Sequence, residues 1–270
     1  MSMPRDLVLV RHGQSDGNVA SQAARDGDLR FYTDAFITTP GHRWRLTPTG
    51  TAQAAAIGQW LREQFPARTD APSGFDRLMV SPYVRTRETA ADLDLPSAQW
   101  MRNRALRERD WGDIGSLPRE QFESDPRYRD NARLQRIDPL YWVAPGGESI
   151  AQVAEDRVRN VLDTLHRENS DQQVLCVTHG EFMWATRLVL ERWDDEQFNA
   201  YDSDPAYRIE NGTALHYTRV CPDTSELAPG LGWLRTATPT LIERAWSVQV
   251  SAWQAIGREL ETNDDLRVAP

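Results

Sequence analysis

Two arginines and two histidines occur where the ends of predicted strands would bring them together. Arg11 and His12 follow the first apolar segment of the chain, His179 follows the segment VLCVT, and Arg85 lies just after a third apolar segment. Ligands of open α/β sheets bind at the carboxyl ends of the strands, so we expect these side chains at one edge. Two guanidinium groups suit a phosphate dianion and disfavour a metal cation. The pattern predicts a phosphate site without a metal.

The apolar segments themselves predict a sheet that is covered on both faces. They are short and rich in β-branched residues, which is typical of buried parallel strands. The predicted strands are 7–10, 75–80, 174–178 and 214–220, with a less regular one at 98–101.

Capping residues predict where three helices begin between these strands. Thr47 and Ser81 each precede a proline, which is favoured at the first helical position. Ser149 and Gln152 form the pattern of a capping box. Because strands alternate with helices, the predicted fold is α/β, with a mainly parallel central sheet and helices on both faces.

Six short motifs occur in an order and spacing that is more informative than any one of them. They are RHGQSDGN at 11–18, LTPTGTAQA at 46–54, SPYVRTRETA at 81–90, LRERDWG at 106–112, PGGES at 145–149 and VTHG at 177–180. Through these motifs the sequence resembles the histidine phosphatase superfamily over about residues 5–220. The resemblance implies the three-layer, phosphoglycerate-mutase-like sandwich and a metal-independent phosphomonoester hydrolase that needs no cofactor.

The resemblance also implies roles for individual residues. His12 would be the nucleophile that becomes phosphohistidine, and Glu108 would give a proton to the leaving oxygen. The phosphoryl oxygens would be held by Arg11, Asn18, Arg85 and His179.

Elementary chemistry agrees with these roles. An imidazole attacks phosphorus only when it is neutral, and neighbouring cations disfavour a proton on His12. Fixed cations also neutralise charge on the transferred phosphoryl group without a metal. A carboxyl group such as that of Glu108 could protonate the leaving alkoxide and later activate water.

Three functions remain open at this point, of which a phosphomonoesterase is favoured. Glu108, Arg109 and Gly112 fit the pattern of the cofactor-dependent phosphoglycerate mutases, and Arg119 stands where those enzymes usually carry a lysine. The paired arginines of the mutases are missing from 126–147. A non-catalytic scaffold that binds phosphorylated ligands is the third alternative. Such a protein is expected to lack the nucleophile, the second histidine, the arginines or the acid, and all of these are present.

Substrate recognition is predicted outside the motifs. The long connection at 19–46 is interpreted as an insertion that forms a lid or an ordered surface loop, and 103–146 as an irregular cap segment. Candidate substrate-binding residues are Arg43, Arg109 and Trp111.

The last fifty residues are predicted to be an extension, 221–270, of a phosphatase domain formed by 1–220. Apolar residues there recur on roughly one helical face, which favours an amphipathic helix docked on the domain or on a second copy in a homodimer. They are Leu241, Ile242, Trp246, Val250, Trp253, Ile256 and Leu260.

Composition narrows the partners. The chain has 270 residues and a formal net charge of -9, which opposes nucleic acid and anionic membranes as partners. No apolar stretch has the length of a transmembrane helix, so a cytoplasmic protein with a small phosphorylated substrate is expected. Cys176 and Cys221 alone predict neither a disulfide framework nor a cysteine zinc site.

Overall fold

A mixed sheet of eight strands forms the centre of the computed structural model, which describes residues 2–257, 262, 263 and 267. The order is β3-β2-β4-β1-β5-β6-β7, and β8 pairs with β6. Strands β1 to β4 are parallel to one another, whereas β5 to β8 pair antiparallel. The strands are β1 (Asp6–Arg11), β2 (Arg77–Val80), β3 (Met101–Arg102), β4 (Gln173–Thr178), β5 (Ala214–Thr218), β6 (Trp233–Ile242), β7 (Ala245–Val250) and β8 (Gln254–Ala255).

Helices cover both faces of this sheet. They are α1 (Asp16–Arg25), α2 (Asp34–Thr38), α3 (Pro48–Gln64), α4 (Val84–Asp92), α5 (Arg119–Ser124), α6 (Arg129–Ile137), α7 (Ile150–Gln152), α8 (Arg159–Glu168), α9 (Gly180–Glu191) and α10 (Asp195–Ser203). A π-helical segment, Val153–Val158, joins α7 to α8. Short 3-10 turns occur at Gly41–Arg43, Arg104–Leu106, Gly112–Ile114 and Pro205–Tyr207.

Alternation along β1 explains the three layers. Leu7 and Leu9 pack into a core with residues of α8 and α9, whereas Val8 and Val10 pack into a second core with residues of α3. Successive side chains of a strand point to opposite faces, so a strand that is apolar throughout needs cover on both. The predicted α/β fold with helices on both faces is confirmed.

Two of the predicted helix starts are confirmed and the third is wrong. Thr47 Oγ1 accepts from the Gly50 amide at 3.1 Å, and Ser149 with Gln152 forms the capping box. Ser81, in contrast, lies three residues before α4, which begins at Val84. Its hydroxyl is 2.8 Å from Nε2 of His179 instead, so a residue that looks like a cap belongs to the site.

The amphipathic helix predicted for the last fifty residues is wrong. Residues 233–250 form the antiparallel hairpin β6–β7, which extends the sheet past residue 220. Its turn places Glu243 and Arg244 at φ 49° and 70°, positive angles for which hairpins usually select glycine or asparagine. Because neither residue type is present, the turn left no signal in the sequence. Leu260 lies outside the described residues, and docking of a second copy stays a prediction.

The two segments predicted to be irregular contain short helices. The 19–46 connection includes most of α1 and all of α2, and 103–146 contains α5 and α6. Phe122, Ala132 and Trp142 in the second segment belong to a small apolar cluster separate from the two main cores. This local cluster orders the segment despite its many charges. None of the helices in the described part of the chain has the length and apolar content that crossing a membrane requires.

Candidate active site

A cavity of about 740 Å³ lies at the carboxyl ends of the parallel strands. The loop after β1, the start of α4, the loop at 108–119 and the start of α9 all contribute to its wall. The 19–46 segment lines the cavity as well, through residues of α2 and the 3-10 turn that follows it. The strand ends therefore converge on a common cavity, as the sequence predicts.

His12 is buried and lines this cavity, and two neighbours determine which of its ring nitrogens carries the proton. Its Nδ1 lies 2.7 Å from the carbonyl oxygen of Gly13, which can only accept, so Nδ1 carries the proton. Arg85 Nε donates to Nε2 of His12 at 2.9 Å. The lone pair of the imidazole is therefore on Nε2.

The charge state of His12 follows from its surroundings. Burial lowers its pKa well below the ordinary 6.5, and the charges of Arg85 and Arg11 lower it further. His12 is therefore neutral at pH 7, which is the state that a nucleophilic imidazole requires.

Arg85 connects both histidines to the 19–46 segment. One terminal nitrogen donates to the Gly41 carbonyl oxygen at 2.8 Å, and the other lies 3.1 Å from Nδ1 of His179. The helix that carries Arg85 is tied to the loop after β1, because Thr89 Oγ1 accepts from the Gly13 amide at 3.1 Å. Arg87, by contrast, is exposed, as its place on another face of α4 predicts.

His179 is the second buried imidazole of the site. Arg85 donates to its Nδ1, so its proton is on Nε2, which donates to the Ser81 hydroxyl. Burial lowers the pKa of His179 well below 6.5, and the charge of Arg85 adds to the effect. Its ring centroid lies 5.2 Å from that of His12.

Arg11 supplies a donor with no partner among the described residues. One terminal nitrogen donates to the Ile209 carbonyl oxygen, whereas the buried Nε–H has no acceptor. An unpaired buried donor costs about 1–3 kcal/mol, which an anion in the site would relieve. A Cβ at position 180 would lie 3.3 Å from this Nε, so the glycine of VTHG leaves room for the guanidinium.

Glu108 faces the histidines from the other side of the cavity. Its Oε1 accepts from the amides of Arg109 and Glu181 at 3.1 and 3.3 Å, and its Oε2 lies 3.9 Å from Nδ1 of His179. Burial raises the pKa of this carboxyl group, and the charge of Glu181 adds to the rise, which Arg85 and Arg11 oppose. A carboxyl group that keeps its proton to a higher pH can act as a general acid.

His12, Glu108 and His179 lie close enough together to hold a metal ion, if geometry alone is considered. One ligand atom each of His12, Glu108 and His179 lies within 4.8 Å of the others. Arg85 already donates to the imidazole nitrogens that would bind the ion, and its charge would repel a cation. The donor set therefore fits an anion better than a metal.

Asn18 lines the cavity, where the family resemblance places it. Its side-chain oxygen accepts from the amide and hydroxyl of Ser15 at 3.0 and 2.8 Å, which closes a capping box on α1. Asn211, which sequence reasoning missed, donates both to this oxygen and to the His12 carbonyl oxygen. No pattern near Asn211 pointed to the site, because it approaches from the far end of the chain.

The three predicted substrate-binding residues have different surroundings. Arg109 is buried, and its guanidinium donates to the carbonyl oxygens of Glu148 and Trp142 and to Glu181. Trp111 lines the cavity and packs against that guanidinium at 4.5 Å. Arg43 is exposed and does not line the cavity. Its neighbours His42 and Trp44 do line it.

Glu148 orders the loop that carries Glu108. It accepts from Arg107 at 2.7 Å, from Arg157 at 2.8 Å and from the Asp110 amide at 2.9 Å. The motif PGGES contains Glu148, but it does not predict the ion pairs, because Arg107 and Arg157 lie far from each other in sequence.

Comparison with known proteins agrees with this geometry. The family model of the histidine phosphatase superfamily (branch 1) matches residues 7–210. The chain belongs to this superfamily.

Curated relatives of this superfamily member carry mutase names. It is 32% identical over 231 residues to the 2,3-bisphosphoglycerate-dependent phosphoglycerate mutase of Methylobacterium radiotolerans, covering 83% of this chain and 93% of that enzyme. It is 27% identical over 212 residues to a phosphoglycerate mutase-like protein of Arabidopsis thaliana, covering 74% of this chain. That match spans 62% of the plant protein, less than two thirds of its length.

Solved structures with the same fold carry phosphatase names. A mycobacterial glucosyl-3-phosphoglycerate phosphatase complexed with VO3 superposes with a TM-score of 0.60 at 24% identity, over 79% of this chain and 92% of that one. The phosphoserine phosphatase of Entamoeba histolytica, complexed with 3-phosphoglyceric acid, gives 0.57 at 20% identity, over 79% and 90%. Mutase-like proteins and phosphatases thus both occur among the relatives and structural neighbours.

Proposed function

We propose that this protein is a metal-independent phosphomonoester hydrolase that forms a phosphohistidine on Nε2 of His12. The observation that carries the proposal is the 2.7 Å contact between Nδ1 of His12 and the Gly13 carbonyl oxygen. It holds the proton on Nδ1, so the lone pair stays on Nε2 among the cationic groups of Arg85 and Arg11. A neutral nucleophile and fixed cations are what phosphoryl transfer requires.

The reaction follows in two balanced steps. Nε2 of His12 attacks phosphorus while the ester bond breaks, and Glu108 gives its proton to the departing oxygen. Water then attacks the phosphohistidine and loses a proton to Glu108, so inorganic phosphate leaves and both residues return to their starting states. Arg11 and Arg85 hold the phosphoryl oxygens during both steps, whereas His179, whose one proton is on Nε2, can donate to them only after it takes up a second proton on Nδ1.

The alternative is a phosphoglycerate mutase, which the names of the curated relatives favour. A mutase has to bind the carboxylate of its substrate, and Arg109 fits the mutase pattern. Each nitrogen of this buried guanidinium already donates to a protein oxygen, so two of its five N–H groups remain for a carboxylate. Arg119 lines the cavity, but it pairs with Glu123 at 2.8 Å. These contacts favour the hydrolase.

Hydrolysis of p-nitrophenyl phosphate in EDTA tests the proposal. We expect wild-type turnover that survives chelation, and a loss of at least about a thousand-fold in His12→Ala because the nucleophile is gone. His166→Ala is the matched control, since His166 is exposed on α8 and should leave the rate unchanged. Activity that EDTA abolishes would contradict the metal-free mechanism.

Phosphoglycerate as substrate separates the alternatives. Isomerisation faster than hydrolysis would favour the mutase. Phosphate binding without turnover of any phosphomonoester would favour the non-catalytic scaffold.

A further inference from the structure

A second carboxylate, that of Glu181, lies beside Glu108 and has no part in the two steps above. Glu181 is in the first turn of α9, and its amide donates to Oε1 of Glu108 at 3.3 Å. Both side chains line the cavity. The arrangement places a second negative charge next to the group that protonates the leaving oxygen.

The cation that pairs with Glu181 lies behind it. Arg109 is 3.2 Å from the Glu181 carboxylate, and the two side chains are 3% and 29% exposed. The guanidinium is also bound to two carbonyl oxygens and packs against Trp111 and Trp142. The carboxylate is therefore the more accessible member of the pair.

The leaving group has to pass close to this carboxylate. Its ester oxygen needs to come within hydrogen-bond distance of Glu108 to receive a proton. The atoms bonded to that oxygen then lie near Glu108, whose Oε1 accepts from the Glu181 amide, and both residues line the cavity. An anionic substituent there would meet like charges in a partly desolvated site, which is costly.

We propose that Glu181 is a specificity-determining residue that selects phosphomonoesters with no anionic group on the carbon next to the ester oxygen. This inference rests on the proposed function, because it takes Glu108 as the group that faces the leaving oxygen. Other cations of the wall belong to other elements: Arg25 ends α1, and Arg119 and Arg208 pair with Glu123 and Glu210. Arg119 and Arg208 are already paired with these carboxylates, which weakens their attraction for an anionic substituent of the leaving group.

A matched pair of substrates tests the inference. Glycerol 2-phosphate and 2-phosphoglycerate differ at one position only. The carbon that bears the ester carries a hydroxymethyl group in glycerol 2-phosphate and a carboxylate in 2-phosphoglycerate. We expect wild-type kcat/KM to favour glycerol 2-phosphate by about ten-fold or more. Glu181→Gln should reduce this preference to less than about three-fold, while Glu181→Asp should keep it because the charge remains.

The control variant is Glu196→Gln, which removes the same charge from an exposed position on α10 and should leave the preference unchanged. The ratio of kcat/KM for the two substrates is insensitive to a change in Glu108, because both leaving oxygens need its proton. Equal use of the two compounds by the wild type, or a preference that Glu181→Gln leaves intact, would overturn the inference.

Binding separates this inference from the proposed function. Calorimetry on His12→Asn, which keeps an acceptor for Arg85, gives the affinity of both compounds without turnover. If the wild type hydrolyses nothing, the proposed function fails, yet a preference for glycerol 2-phosphate that Glu181→Gln abolishes would still support the role of Glu181. If the wild type hydrolyses phosphomonoesters but the two affinities are equal, only the role of Glu181 fails.

Discussion

His12 and His216 lie on neighbouring parts of the sheet, are both buried, and both accept a hydrogen bond from an arginine, yet their surroundings differ in one decisive respect. His12 follows β1 at its carboxyl end, in a cavity with Arg85 and Arg11. His216, in β5, lies 2.9 Å from the carboxylate of Asp6, the first residue of β1. His12 therefore lies in a cavity among cationic groups, whereas His216 is paired with a carboxylate.

The protons of the two rings show what the difference means. Arg235 donates to Nδ1 of His216, so its Nε2–H donates to Asp6, and Trp60 and Trp253 pack around the ring. Both nitrogens of His216 are therefore bonded inside the fold. In His12, Nε2 also accepts from an arginine, but that arginine, Arg85, lines the cavity together with the ring. Burial lowers the pKa of both, so a lowered pKa alone does not mark a nucleophile.

The largest loss of activity is expected when the cation next to His12 is removed. Arg85→Ala should reduce kcat for p-nitrophenyl phosphate by about a hundred- to a thousand-fold, because a preorganised donor to the transferred phosphoryl group is lost. Arg87→Ala, two residues along the same helix but exposed, should change kcat by less than about two-fold. Similar losses in both variants would mean that Arg85 acts only through helix stability.

The pH dependence of turnover sharpens the role of the carboxyl group. His12 has to be neutral, and its pKa is lowered well below 6.5, so protonation of His12 should reduce activity at acidic pH. Glu108 has to be protonated, and its pKa is raised above 4.5, so activity should also fall as the pH rises through that raised value. Glu108→Gln should remove the basic limb and cost about a hundred-fold with an alkyl phosphate.

The loss in Glu108→Gln should be smaller with p-nitrophenyl phosphate, because its leaving group needs less protonation. Measurement of kcat/KM against pH for both substrates checks this. An unchanged basic limb, or an equal loss with both substrates, would assign the proton transfer to another group.

The smallest expected effect on activity belongs to His216. His216→Ala breaks the hydrogen bonds to Asp6 and Arg235 and leaves a cavity, so it should destabilise the fold by about 2–3 kcal/mol. The kcat should stay within about two-fold, because His216 does not line the active-site cavity. Chemical denaturation and a steady-state assay measure the two quantities, with His166→Ala as the exposed control. A large loss of kcat in the folded variant would remove the contrast between the two histidines.

The part of the site that the sequence predicts is the part that follows strands directly. Arg11, His12 and His179 stand at strand ends, and Arg85 lies one position inside the helix that follows β2. Such positions are set by local chain direction, so short motifs determine them. The alternation of apolar segments and capped helices predicts the layered fold for the same reason.

Long-range contacts account for what the sequence does not predict. Asn211 reaches the site from a separate element with no motif near it, and Glu181 follows VTHG directly, but the motif does not show that its amide contacts Glu108. The hairpin turn at Glu243 and Arg244 lacks the glycine or asparagine that usually adopts positive φ. Without that signal the two strands were predicted as one continuous amphipathic helix. Ser81 resembled a cap because Pro82 follows it, although its hydroxyl bonds to His179.

The central claim is that Nε2 of His12 carries the phosphoryl group during turnover, and direct detection of that bond tests it best. The enzyme would be mixed rapidly with p-nitrophenyl phosphate and quenched in base, which preserves phosphohistidine, and its peptides analysed by mass spectrometry. We expect a phosphoryl group on the peptide that contains His12, formed and lost at rates compatible with kcat. A phosphoryl group on another residue, or turnover with no phosphorylated enzyme at any time, would contradict it.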